Sequence, residues 1–246
     1  MHLWLALPDE IDDARLLATY LSWLDDQELE RCDRFVSARA RHLFIVSHAL
    51  VRSTLSLYAD VHPAAWRFTF NDAGKPEVVG PAVSGELRFS LSHVGGLAAC
   101  AVTRSLDCGV DVDDPARVAD PLAVARHWFA ADEYAALLSL PEEECRQRFF
   151  ELWTLKEAYT KARGLQLAPT LNRVSFDPGG DRGIGLRFAP DWGDQPEHWQ
   201  FALLEQSSST GRFVLAVAVR RGSGDDRTLV VRECVPEPLP GYSADI

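Results

Sequence analysis

The sequence is short of positive charge. Among its 246 residues, 25 lysines and arginines face 36 aspartates and glutamates, for a net charge of −11. Nucleic acids and anionic membrane surfaces recruit basic faces, so neither is expected as a partner, and anion binding is left to local basic patches. Paired cysteines are missing too. Cys32, Cys100, Cys108, Cys145 and Cys234 contain no CxxC spacing, and five thiols leave one over in any pairing. That pattern predicts reduced structural thiols and no zinc centre. A long apolar run is also absent. The opening MHLWLALPDE has no basic stretch and its apolar letters stop at Pro8 and Asp9. Neither a secretory signal nor a membrane span is expected, and the cytoplasm is the expected compartment.

What is present is 47% hydrophobic residues, enough to bury one large core or two small ones. From Asp12 to Phe35, and again from Ser37 to Tyr58, apolar letters recur three and four apart (Leu43, Val46, Leu50, Val51, Leu55), which predicts helices with one buried face. The period then falls to two. WRFTF, ELRFSLSH and LAACAVT read as strands joined through NDAGK and VGG. A second helical block, about Pro121 to Arg163, precedes strands at NRVSF, WQFALLE and FVLAVAVR. The letters repeat faintly: RFTFNDAG from Arg67 resembles RVSFDPGG from Arg173, each followed by a hairpin ending in a small-residue strand. Either this is a chance match or the chain is an α+β fold of two similar halves related by a pseudo-twofold, each a small antiparallel sheet packed with helices. In the second case the halves are 1–113 and 114–246, with the active site expected at their interface.

Two short stretches carry chemistry. In CGVDVDD, Cys108 to Asp114, strand geometry projects Asp111 and Asp113 to one side and Asp114 to the other. Adjacent carboxylates repel unless a cation lies between them, and hard oxygen ligands favour Mg²⁺ or Mn²⁺; the alternative is a solvated acidic turn. In WTLKEAYTKARG, Trp153 to Gly164, helical spacing puts Trp153, Glu157 and Lys161 in one stripe with Lys156 beside it and Gly164 as the stop. A Glu157–Lys161 surface pair is the commoner meaning of that spacing. Against it, Phe149, Phe150, Leu152, Leu155, Ala158 and Tyr159 cover the remaining circumference, and charges in such a helix need a partner or a ligand.

Four segments in one order extend this. RCDRFV with ALVRS, NDAGKP, RFSLSHVGG and GVDVD lead into WTLKEAYTK. Together they resemble the surfactin-type 4′-phosphopantetheinyl transferases over nearly the whole chain, matching that family's GKP, its S-H strand end, its G-[IV]-D-[IV]-[ED] and its W-[ST]-x-K-E-[AS]-x-x-K. The resemblance implies a two-halved fold and transfer of 4′-phosphopantetheine from coenzyme A to a serine of an apo acyl or peptidyl carrier protein, releasing adenosine 3′,5′-bisphosphate. It implies that Asp111, Asp113 and Glu157 hold Mg²⁺, with Mn²⁺ as the substitute, that Glu157 is also the base, and that Lys161 stabilises charge on the phosphates. Lys156, in the same motif, is carried as a further coenzyme A contact. Gly74, Lys75 and Pro76 match the family's adenine and phosphate contacts, and Ser92 with His93 a phosphate contact.

The basic group Arg31, Arg34, Arg39 and Arg41 is either solvated or captures the 3′-phosphate, through Arg34 or Arg41. One departure is Asp113, where the family usually has Glu; the shorter side chain reaches a metal either directly or through water. ARHWFAADEYAALL offers Trp128 and Phe129 beside Arg126 and His127, either as core or as a surface for an apolar carrier helix with an acidic rim. The tail from Gly222 reads as loop, and a monomer is expected. A non-catalytic coenzyme A or carrier-binding module of the same fold is the alternative to an enzyme, and the Asp111, Glu157, Lys161 set favours the enzyme.

Overall fold

Contacts along the chain divide it into two units, one of Met1–Ser105, Ser208–Gly211 and Thr228–Ile246, the other of Leu106–Ser207 and Arg212–Arg227. The structure is a computed structural model and describes residues 1–82, 86–180, 183–221 and 226–237.

The first unit opens with β1 (His2–Ala6), then α1 (Ala14–Trp23), α2 (Asp26–Asp33) and α3 (Ala38–Ser56). A hairpin of β2 (Arg67–Phe70) and β3 (Pro76–Gly80) precedes the antiparallel pair β4 (Leu87–Val94) and β5 (Leu97–Arg104). The stretch Asp12–Phe35 is not one helix. Leu24 turns extended (ψ 145°), and Asp25 starts α2 with a reciprocal cap: its carboxylate accepts from the Glu28 amide at 3.0 Å while its own amide donates to Glu28 at 2.9 Å. Short capping side chains likewise begin α1 (Asp13) and α3 (Ser37). Tyr20, Trp23, Phe44, Leu50, Leu55 and Trp66 fill the core beneath the sheet, each large side chain contributing roughly 1.5–3 kcal/mol of burial.

The second unit repeats the order: β6 (Cys108–Asp113), then α4 (Pro121–Trp128), α5 (Ala131–Leu138) and α6 (Glu142–Arg163), the hairpin of β7 (Val174–Asp177) and β8 (Gly185–Phe188), and the strands β9 (Trp199–Ser208) and β10 (Gly211–Arg220). Strand, three helices, hairpin and antiparallel strands thus occur twice, with β1 beside β5 in one unit and β6 beside β10 in the other. The α+β duplication read from two faintly similar strand–turn pieces is therefore present in the order of elements.

Its boundary differs from the expected one. The division falls at Ser105/Leu106 rather than 113, because β6 pairs with β10, Asp111 opposite Ala216 and Asp113 opposite Val214, and so begins the second run. The tail also departs from a pure loop: β11 (Val230–Glu233) lies parallel to β1 and completes the sheet β11-β1-β5-β4, with Leu3 opposite Val231. Parts of that tail, 222–225 and 238–246, lie outside the described residues.

Both units bury one cation on their third helix in the same way. In the first, Arg52 of α3 binds Glu28 of α2 at 2.6 Å and the carbonyls of Pro63 and Trp66 at 3.1 Å, over the Phe68 ring at 5.2 Å. In the second, Lys156 of α6 binds Glu133 of α5 at 2.7 Å and the carbonyls of Leu171 (2.7 Å) and Val174, over the Phe129 ring at 5.1 Å. Each glutamate also accepts the amide that opens its own helix, Asp25 at 2.9 Å and Ala130 at 3.0 Å. An ammonium with three acceptors is fully satisfied, which is what permits a charge in that interior.

Candidate active site

The site begins with a missing side chain. A Cβ on Gly109 would stand 1.9 Å from the carbonyl oxygen of Ala158, so only glycine lets β6 lie directly against α6. Asp111 and Asp113, on the same face of β6, are thereby delivered to the helix face carrying Glu157 and Lys161. Gly164 ends α6 in the left-handed conformation (φ 63°), as its sequence position predicts.

Lys161 Nζ lies 2.6 Å from Asp111 Oδ1 and 3.9 Å from Glu157 Oε2. Asp113 is engaged at both oxygens, accepting the Asp114 amide at 2.8 Å and Arg117 Nη2 at 2.6 Å. Three carboxylates therefore share two cations. Burial, then the Asp111 charge, push Glu157 up to about 7 against the pull of Lys161. Burial likewise raises Asp113, against the pull of Arg117. The oxygens of Asp111, Asp113 and Glu157 are hard donors, the type that Mg²⁺ or Mn²⁺ takes in preference to zinc. Among the described residues no three His, Cys, Asp or Glu side chains already stand together as metal ligands. Lys161 and Arg117 supply the counter-charge instead.

Lys156 does not join this group, which corrects its expected role as a coenzyme A contact. Its side chain is fully buried and all three ammonium donors go to Glu133, Leu171 and Val174, one helical position (about 100° of rotation) from Glu157. Burial lowers the Lys156 ammonium and raises the Glu133 carboxyl, and each pulls the other back. Trp153 leaves the functional stripe as well, stacking on Phe149 at 5.9 Å and Phe129 at 6.3 Å.

The remaining expected residues lie in the first unit. Gly74, at φ 83°, closes the turn that Asn71 organises by accepting the Ala73 and Lys75 amides, and Pro76 starts β3. Ser92, buried, and His93, exposed, end β4 just before the turn with Gly95 and Gly96. Arg34 caps α2 and donates to the Glu30 carbonyl, while Arg41 lies 3.9 Å from Asp33. Of the neighbouring arginines, Arg39 pairs with Asp9 at 2.9 Å and its guanidinium comes 3.9 Å from where a Gly95 Cβ would be. In the second unit, Trp128 is 43% exposed beside exposed Arg126 and His127, whereas Phe129 is core, stacked on Phe149 at 5.2 Å. Sequence reasoning missed Arg117 and Glu133. A cation four residues beyond Asp113 in DDPAR was the available signal for the first; nothing marked the second, an acidic residue in the first turn of a helix.

The sequence model of the 4′-phosphopantetheinyl transferase superfamily matches residues 107–218, which contain β6, α6 and all five clustered charges. The 4′-phosphopantetheinyl transferase HetI of Nostoc sp. is 30% identical over 221 residues, covering 82% of this chain and 92% of that protein. A putative 4′-phosphopantetheinyl transferase of Synechocystis sp., slr0495, is 29% identical over 84% of this chain and 83% of its own length. The 4′-phosphopantetheinyl transferase Sfp of Bacillus subtilis is 28% identical over 63% of this chain and 67% of its own length. With identity at that level sustained along almost the full length of HetI, the chain belongs to the 4′-phosphopantetheinyl transferase superfamily.

Proposed function

We propose that this chain is a surfactin-type 4′-phosphopantetheinyl transferase that moves 4′-phosphopantetheine from coenzyme A to a serine of an apo acyl or peptidyl carrier protein. The observation that carries the reading is the cluster of Asp111, Asp113, Glu157 and Lys161 on β6 and α6 in a member of this superfamily. The duplicated element order and the likeness to Sfp support the surfactin-type assignment.

In this reading the serine oxygen attacks the β-phosphorus of the coenzyme A pyrophosphate, and Glu157 takes the hydroxyl proton. The bond from that phosphorus to the bridging oxygen breaks, and adenosine 3′,5′-bisphosphate leaves with the electron pair. Lys161 places a positive charge where negative charge grows on the phosphates. Asp111 and Glu157, with Asp113 directly or through water, would hold Mg²⁺, which when bound orients the pyrophosphate and neutralises its charge. Lys75 with Gly74 and Pro76, His93 with Ser92, and Arg34 or Arg41 are read as the nucleotide and phosphate contacts. The enzyme acts as a monomer in the cytoplasm, a compartment that five free cysteines support. Among the described residues, no helix is long and apolar enough to cross a membrane.

Coenzyme A labelled on its thiol tests the reading directly. The label should appear on an apo carrier protein only when its acceptor serine, Mg²⁺ and this enzyme are all present; label on a carrier whose serine is replaced by alanine would sink it.

A further inference from the structure

The loop after β6 is built to present one arginine. Arg146 of α6 grips it on both sides, donating to the carbonyls of Pro115 (3.0 Å), Val118 (2.7 Å) and Ala119 (3.3 Å). Just ahead of that span Asp114 accepts the Ala116 amide at 2.8 Å and its carbonyl the Arg117 amide at 2.9 Å. The backbone at 117 is thus fixed, while the Arg117 side chain stays 57% exposed with its guanidinium 2.6 Å from an Asp113 side chain only 3% exposed. A buried carboxylate left without a cation is costly, whereas the exposed guanidinium can swing into solvent without itself being left buried and unpaired.

We propose that Arg117 is a built-in counter-ion that stands in for the divalent cation at Asp113 and competes with it, so that metal loading displaces the arginine side chain while Asp113 is never left unpaired. This rests on the reading of Asp111, Asp113 and Glu157 as the metal site. It deepens that reading by giving Asp113 two alternating partners. Lys161 is the less movable of the two cations, being 31% exposed and placed between Asp111 and Glu157.

The test is the affinity of the whole protein for Mn²⁺ alone, with no coenzyme A, read by electron paramagnetic resonance of free Mn²⁺. Removing a competing positive charge a few ångströms from a divalent ion should tighten binding about tenfold in Arg117→Ala. In an Asp113→Asn background, where the arginine has nothing to release, the same substitution should change affinity less than about threefold. A second readout is thermal: Arg117→Ala should melt lower than wild type in EDTA and regain the difference in saturating Mn²⁺. Unchanged or weaker Mn²⁺ binding in Arg117→Ala, or equal tightening whether or not the Asp113→Asn substitution is present, overturns the proposal. If neither wild type nor Arg117→Ala binds Mn²⁺, the metal site itself fails along with it; if wild type binds and the variant matches it, only the counter-ion role fails.

Discussion

Glu157 is assigned two jobs, metal ligand and proton acceptor, and one substitution separates them. Gln keeps the shape and one coordinating oxygen but removes charge and basicity. Glu157→Gln should lower kcat by on the order of 10² or more, and the loss should persist at saturating Mg²⁺ and coenzyme A. A near wild-type kcat at high Mg²⁺ would hand the base role to another group. Asp113→Asn should be milder and partly rescued by metal, since both oxygens of Asp113 are already engaged by protein donors. In the first unit, Glu28 sets a pH limit. Burial alone would raise it, but His48 at 2.6 Å and Arg52 outweigh that and hold it at about 2, below its ordinary 4.5. A depressed carboxylate stabilises the fold above its unfolded value and loses that contribution as pH falls towards the folded one. Urea unfolding from pH 6 down to pH 3 should therefore show about 2 kcal/mol lost in wild type that is absent from the slope of Glu28→Gln.

The contact between β6 and α6 is the element on which the site depends, and it tolerates no Cβ. Gly109→Ala must push the strand off the Ala158 carbonyl, so it should cost about 3 kcal/mol or more in unfolding free energy, and the folded fraction should lose most of its kcat. The other hold on α6 is the buried pair. Lys156→Met should cost roughly 3–5 kcal/mol because the buried Glu133 is left without a counter-ion; adding Glu133→Gln should return part of that, whereas strictly additive losses would deny the coupling. Much of this architecture was legible in the letters. The helices, the hairpin partners and the chemical face of WTLKEAYTK follow from periodicity of 3.6 and 2, and Gly164 from its need for a left-handed turn. What was not legible depends on long-range contact. β1 and β11 are short strands whose pairing is with each other and β5, the break at Leu24 depends on a reciprocal cap, and the burial of Lys156 depends on an acid on the preceding helix. A stripe drawn on a helix shows which residues share a face; it does not show which neighbour that face meets.

At the scale of the molecule, charge governs the encounter with the carrier. A chain of net charge −11 repels an acid-rimmed partner unless a local basic surface receives it. Arg126 and His127, exposed beside Trp128 near the end of α4, are the surface proposed. Arg126→Glu should raise the carrier KM about tenfold at low salt and leave the coenzyme A KM within about twofold; an unchanged carrier KM would move the docking surface elsewhere. The central claim, that the gathered charges of β6 and α6 perform phosphopantetheinyl transfer, is tested most directly by intact-mass spectrometry. An apo carrier protein incubated with coenzyme A, Mg²⁺ and this enzyme should gain one phosphopantetheine on a single serine, with EDTA abolishing the gain and Glu157→Gln slowing it by the factor given above. No mass gain on any of several apo acyl and peptidyl carriers, under conditions where the protein still binds coenzyme A, would contradict it and leave a binding module in place of an enzyme.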